Sequence, residues 1–196
     1  MNNLGADSLM LEHFLLQESS GGSIPTSALQ LQYKPIKFSD ALEVFNKWHY
    51  LKTQRFISSI NFGVFYNDNL LGCISYGPPN ATDLKGYWDR HTQQGWYEIK
   101  RLALSPDCPK NSESRCIAIT IKLLKKMVAV KGIVTYADSV QGHVGTIYKA
   151  SGFKALGLTA LKYDFWVDGK IQQRGKTKGV KGEWKKRSRK WLFIKK

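Results

Sequence analysis

Asp138 and His143 lie five residues apart across the loop Ser139-Val140-Gln141-Gly142, directly after an apolar run at 133–137. In open α/β sheets ligands gather beside the C-terminal ends of strands, so a carboxylate there can act as a base or orient His143. The same aspartate also suits an Asx-turn or a helix cap. His49 closes a helical segment, where an imidazole either does chemistry or serves as a C-cap partner. No Cys/His ligand motif calls for a metal, although His49, Asp138 and His143 have the two-histidine, one-carboxylate composition of an Fe(II) site. Glu98 and Arg101 are three apart in a strand-like run, which places them on opposite faces by alternation. Glu98 can polarise an amine if it faces a cleft; otherwise Arg101 does the cleft work.

A second cluster, Lys110, Asn111, Ser112, Ser114 and Arg115, enters an amphipathic run. Open amides at a helix N-terminus, with the helix dipole behind them, form an anion site to which these side chains can add contacts. The alternative is a capping box with Asn111 or a serine as N-cap. Cys73, Cys108 and Cys116 form neither an even set nor a Cys-x-x-Cys pair, which argues against a disulfide framework or zinc knuckle.

These residues need elements to hold them. A peripheral extension at 1–27, with the linker-like Ser19-Ser20-Gly21-Gly22-Ser23, precedes a domain at 28–169. Its periodicity predicts a strand at 30–35 and a helix at 41–49 capped by Ser39 or Asp40. Runs at 60–66 and 70–76 form a hairpin around Asn67-Asp68-Asn69. Gly77-Pro78-Pro79 stops the second strand, and an aperiodic stretch to Gly95 is long enough to suggest function. A strand at 96–104, a Pro-bounded turn, a helix at 113–130 and a strand at 133–137 follow. A short helix at 146–151 closed by Gly152 and a strand or hairpin at 156–167 complete the domain.

With 42% apolar and 12% aromatic residues among 196, the chain can bury one ordinary core. The net charge of +15 is unevenly spread. From Lys170 onward twelve bases face the single acid Glu183. Lys178, Lys181, Lys185, Lys186, Arg187, Arg189 and Lys190 are interleaved with Trp184, Trp191 and Phe193, a mixture that suits phosphates and stacked bases. The alternative is a basic tail whose aromatics dock on the domain. No apolar run is long enough to span a bilayer, and no basic region precedes 9–16, so a soluble cytoplasmic protein without membrane contact is expected.

The strings Tyr97-Glu98-Ile99-Lys100-Arg101-Leu102-Ala103-Leu104, Pro109-Lys110-Asn111-Ser112-Glu113-Ser114-Arg115, Tyr136-Ala137-Asp138 and Gly142-His143-Val144-Gly145-Thr146-Ile147-Tyr148, ending in Gly152-Phe153, resemble the Mom family of phage DNA-modifying proteins. That family is similar in turn to the GNAT acyltransferases, and the resemblance covers roughly 48–157. It implies an α/β, GNAT-like acyl-CoA N-acyltransferase fold, with a central, mixed, mostly antiparallel twisted sheet flanked by helices. It implies catalytic roles for His49, Tyr50, Asp138 and His143. Tyr148 takes the place of a tyrosine that protonates the departing thiolate, or is a core aromatic. Lys110–Arg115, with Arg101, corresponds to the donor-binding loop. Asn111, Ser112, Glu113 and Ser114 replace its usual glycines, which puts coenzyme A binding of the standard kind in doubt.

The resemblance further implies transfer of a carbamoylmethyl (glycinamide-like) group to N6 of adenine in double-stranded DNA, protecting it from host restriction. The target base would have to leave the stack, with Trp48, Tyr50, Trp88 and Trp96 available to receive it. Acetyl-coenzyme A, a glycine-derived donor such as a charged tRNA, and a metal-assisted route all remain open. The rival readings are a conventional acyltransferase acting on protein, tRNA or a small amine, and a non-catalytic nucleic-acid-binding module.

Overall fold

The structure, a computed structural model, describes residues 24–51, 56–81, 83–172, 177 and 179–196. The sheet opens with β1 (Gln32–Pro35) and receives α1 (Phe38–Trp48) on one face. Lys37, not Ser39 or Asp40, is the N-cap and makes no side-chain cap bond; Ser39 Oγ donates to Asp40 Oδ1 instead. β2 (Ile60–Tyr66) and β3 (Asn69–Gly77) form the expected hairpin. Asn67 and Asp68 adopt φ of 47° and 61°, a left-handed conformation that Asn and Asp tolerate best among residues with a Cβ.

β4 (Trp96–Leu104), α2 (Ser112–Met127), β5 (Gly132–Asp138) and α3 (Thr146–Ala150) follow within a few residues of the expected bounds. The 156–167 segment is not a hairpin. It divides into β6 (Lys154–Leu158) and β7 (Tyr163–Val167), which belong to different sheets. β8 (Lys170–Ile171) and β9 (Glu183–Lys186) flank β7 in a three-stranded sheet.

The expected tail differs most. β10 (Lys190–Lys195) runs antiparallel between β5 and β6, in the seven-stranded order β1-β2-β3-β4-β5-β10-β6. Phe193 is fully buried and Ile194 nearly so, so a boundary at 170 cuts through the folded domain. A strand buried on both faces reads as a continuous apolar run, which Trp191-Leu192-Phe193-Ile194 is.

α2 and α3 cover one face, where Ile99, Cys116, Ile117, Ile121, Leu124, Ile133 and Phe193 pack together. α1 covers part of the other through Ala41, Val44 and Phe45 against Cys73 and Ala103. The segment between β3 and β4 covers another part, with Trp88 packed against Trp96, Val134 and Ile194. None of the described helices is long and apolar enough to cross a membrane.

Candidate active site

Among the described residues β4 and β5 are the one parallel pair of the large sheet, and they pair only over Trp96↔Gly132, Tyr97↔Ile133 and Glu98↔Val134. Beyond that point β4 stays with β3 and β5 stays with β10. The two strands therefore diverge, opening a cleft of about 1440 Å³ toward their C-terminal ends. Side chains of β4 and β5, the end of α1 and the loop entering α3 line it.

On β4 the ladder to β3 shifts register between Ser75 and Tyr76, which oppose Arg101 and Ile99. Lys100 is thus the extra residue of a bulge, and a bulge re-aims the side chains that follow it. Ile99 and Leu102 pack under α2; Glu98, next to Ile99, and Arg101, next to Leu102 and over the Phe45 and Phe56 rings, turn to the other face, and Glu98, Lys100 and Arg101 border the cleft. Glu98 and Arg101 therefore share a face, contrary to strict alternation. Glu98 is 4% exposed and accepts hydrogen bonds from the Asn80 backbone N–H (2.7 Å) and Nδ2 (3.1 Å). Lys100 Nζ donates to Asn80 Oδ1 (2.8 Å) and pairs with Glu98 at 3.3 Å. Burial pulls the Lys100 ammonium below its usual pKa, an effect opposed by Glu98. Asn80 and Lys100 were missed in the sequence, because an Asn after Gly-Pro-Pro and a Lys in a strand carry no pattern of their own. Arg101 lies buried over the rings of Phe56 (4.4 Å) and Phe45 (5.8 Å).

His49 is the C-cap of α1 and is 8% exposed. Its Nδ1 accepts from the Leu51 N–H (3.2 Å), so the neutral ring carries its proton on Nε2. Burial, then the charge of Arg101 and the neighbouring His143, lower its pKa to about 4. Tyr50 stacks on it with centroids 4.6 Å apart, and lies 6.0 Å from the His143 ring. Tyr50 is 48% exposed and is held protonated by burial and by Asp138. Of the expected stacking aromatics, Trp88 and Trp96 are buried in their own cluster, while Trp48 and Tyr50 reach the cleft.

Asp138 does cap a turn. Its Oδ1 accepts from Val140 N–H (3.1 Å) and its Oδ2 from Ser188 Oγ (3.2 Å). It holds His143 through the main chain, the His143 N–H donating to the Asp138 carbonyl (3.2 Å), rather than through its carboxylate. Half-buried and on the cleft wall, the carboxylate keeps spare lone pairs. His143 is exposed at the mouth, and Tyr148 packs among Phe153 and Phe193 while lining the floor. Burial raises the Tyr148 pKa; the nearby Thr135 hydroxyl opposes this, although it falls outside ordinary hydrogen-bond geometry. His49, Asp138 and His143 do not form a ligand set. No group of three His, Cys, Asp or Glu suited to a metal occurs among the described residues.

The loop at the start of α2 keeps glycine-like geometry without glycine. Asn111 takes φ 70° and makes no side-chain cap bond, so no capping box closes this end. The Ser112 N–H turns back to the Pro109 carbonyl (3.2 Å), which leaves the Glu113 and Ser114 amides open to an anion. Lys110, Asn111, Ser114 and Arg115 line a groove of about 700 Å³ outside α2, while Glu113 borders the cleft itself. Ser112 is withdrawn from this role: it is fully buried, with Oγ donating to the Pro109 carbonyl (2.6 Å). Ser114 Oγ donates to the Asn111 carbonyl (3.1 Å). Cys108, pushed up to about 11 by burial, offers no thiolate at neutral pH.

The basic residues are structured rather than trailing. Lys185 pairs with Glu183 and lies over Trp166, and Arg187 pairs with Asp164 at 3.9 Å. Lys181 and Lys186 are exposed, Arg189 Nε donates to the Thr159 carbonyl (2.8 Å), and Lys190 starts β10 at the cleft wall. Lys178 lies outside the described residues.

A model of the Mom protein family matches residues 30–194. The chain belongs to the Mom protein family. A relative in the Mom family, the methylcarbamoylase Mom of Escherichia phage Mu, is 28% identical over 153 residues. The match covers 71% of this chain and 59% of that relative, so the chain spans about three fifths of the relative's length. Among solved structures, the ribosomal-protein-S18-alanine N-acetyltransferase from Escherichia coli matches with a TM-score of 0.52 at 11% identity, over 84% of this chain and 92% of that one. An aminoglycoside acetyltransferase in complex with coenzyme A and kanamycin matches at 0.53 and 14%, over 84% and 94%. This Mom family member has the GNAT acetyltransferase fold, with its diverging central strands.

Proposed function

We propose that this protein is a DNA-modifying transferase that attaches a carbamoylmethyl group to N6 of adenine in DNA. The observation that carries the reading is the β4–β5 cleft, which brings Glu98, Arg101, His49, Tyr50, Asp138, His143 and Tyr148 to one place in a Mom family chain. The phage Mu relative is named a methylcarbamoylase, which supports a transfer of this kind. The amine is delocalised into the purine and lies inside the duplex, so the enzyme must extrude the base and assist its nitrogen. Tyr50, flat, half-exposed and stacked on His49, suits a face of the extruded purine, while the His49 Nε2–H, on the far side of that ring, is left to donate to a carbonyl of the donor. N6 attacks the activated carbon of the donor, and as the N6–C bond forms the bond from that carbon to its leaving group breaks; Asp138 takes the N6 proton, and Tyr148, kept protonated by burial, gives one to the departing group.

The donor is of the acyl-coenzyme A type or a glycine-derived relative of it. The open amides of α2, with Lys110 and Arg115, fit an anionic handle whose reactive end reaches the cleft past Glu113. Bacterial or phage DNA in the host cytoplasm is the partner, and protection from restriction is the consequence. DNA from cells expressing the protein should resist endonucleases whose recognition sequences contain adenine. Full sensitivity at every such site would contradict the reading.

A further inference from the structure

The cleft rim continues into the small sheet. The Arg187 N–H donates to the Lys162 carbonyl (2.8 Å), and from there β7 and β9 run outward with Tyr163↔Lys186, Asp164↔Lys185 and Phe165↔Trp184 opposed. Alternation puts Tyr163, Phe165, Trp184 and Lys186 on one face. Phe165 is buried against Trp184, their centroids 5.1 Å apart. Trp184 nevertheless stays 62% exposed, Leu161 49% and Tyr163 47%, and with Lys162 they border an open notch. Lys162 borders the cleft as well, so the two sites adjoin.

An exposed tryptophan and tyrosine side by side on a sheet that folds without covering them mark a contact surface. The charge around them selects the partner. Glu183 and Asp164 are engaged by Lys185 and Arg187, while Lys162, bordering the notch, and Lys186, opposite Tyr163, stand exposed beside the rings. Flat rings beside ammonium groups match a nucleobase attached to its phosphates. We infer that Leu161, Tyr163 and Trp184 form a second base-contacting site, which stacks a nucleobase next to or opposite the target adenine while Lys162 and Lys186 hold the adjoining phosphates. This rests on the DNA reading of the cleft and adds a separate subsite to it. Such a contact would hold open the gap that extrusion of the target base leaves.

The test is a fluorescence-anisotropy titration of the full chain with labelled duplex DNA at several salt concentrations, which needs neither donor nor catalysis. Trp184→Ala should weaken binding about 10- to 100-fold with the salt slope unchanged, because stacking is lost and no charge is removed. Trp184→Phe should recover most of the affinity. Lys186→Gln should instead lower the salt slope by about 1. Thermal melting of each variant checks that the small sheet stays folded; if Trp184→Ala does not fold, a folded Tyr163→Ala carries the test, with weakened binding and an unchanged salt slope expected and wild-type affinity overturning the inference. Wild-type affinity in folded Trp184→Ala, equal weakening in the Phe and Ala variants, or a Trp184-dependent affinity for anionic lipid vesicles but not DNA would each overturn the inference. DNA binding that depends on Trp184 without any adenine modification would instead count against the catalytic reading alone.

Discussion

Glu98 and Arg101, three residues apart on β4, share one face of the sheet because Lys100 between them is the extra residue of a bulge. The bulge sits just past the point where β4 and β5 part, so it brings Lys100 and Arg101 to the opening cleft beside Glu98. A buried pair is expensive to break and cheap to replace whole, since a lone buried charge keeps its desolvation cost. Glu98→Gln should therefore lose about 3 kcal/mol by leaving the Lys100 ammonium without its carboxylate, whereas adding Lys100→Met should restore much of that loss. Chemical denaturation of both single variants and the double variant measures the coupling. Additive losses would show that the two side chains stand independently.

His49 gives stability a defined dependence on pH. The unfolded imidazole titrates near 6.5 and the folded one near 4, so between those values the unfolded chain binds more protons. The contribution is complete above pH 6.5 and is lost as pH falls through 4, amounting to up to about 3 kcal/mol. His49→Asn, which can keep an acceptor for the Leu51 N–H, should flatten the stability curve over that window. Parallel curves for wild type and His49→Asn between pH 4 and 6.5 would contradict the burial of a neutral ring.

Gly145 and Phe193 join the catalytic loop to the last strand. Gly145 adopts φ 73°, and a Cβ there would land in the Phe193 ring. Gly145→Ala should cost about 2 kcal/mol or more from left-handed strain and overpacking together, and should shift the His143–Tyr148 wall of the cleft. Phe193→Ala should cost about 3–5 kcal/mol, and removal of residues 190–196 should leave insoluble protein because β5 and β6 lose the strand between them. A soluble, folded truncation would mean that β10 is dispensable. Thermal melts and solubility of the three variants decide this.

What the sequence showed and hid follows from which signals are local. Apolar spacing in 96–104 and 113–130 located β4 and α2, because amphipathic periodicity is set by the residues themselves. β10 was hidden by its neighbours: the four apolar residues after Lys190 carry a strand signal, but the charge run before them reads as a tail. The bulge at Lys100 has no sequence signature, since it depends on how β3 pairs with β4, and so Glu98 and Arg101 were assigned to opposite faces. The convergence of His49, at the end of α1, with Asp138, at the end of β5, and His143, in the loop after it, is a tertiary fact that only motif resemblance anticipated. The capping role of Asp138 was legible beside its catalytic one, and the structure shows that the carboxylate caps the turn while standing on the cleft wall.

The central claim is that the β4–β5 cleft modifies adenine in DNA and that Asp138 takes part in the chemistry. Mass spectrometry of nucleosides digested from DNA of expressing cells tests it most directly. Wild-type protein should yield a deoxyadenosine derivative heavier by a carbamoylmethyl group, and Asp138→Asn, which can still cap the turn, should reduce its amount about 100- to 10,000-fold while remaining folded. Unmodified deoxyadenosine in cells making soluble wild-type protein, or equal modification by wild type and Asp138→Asn, would contradict the account.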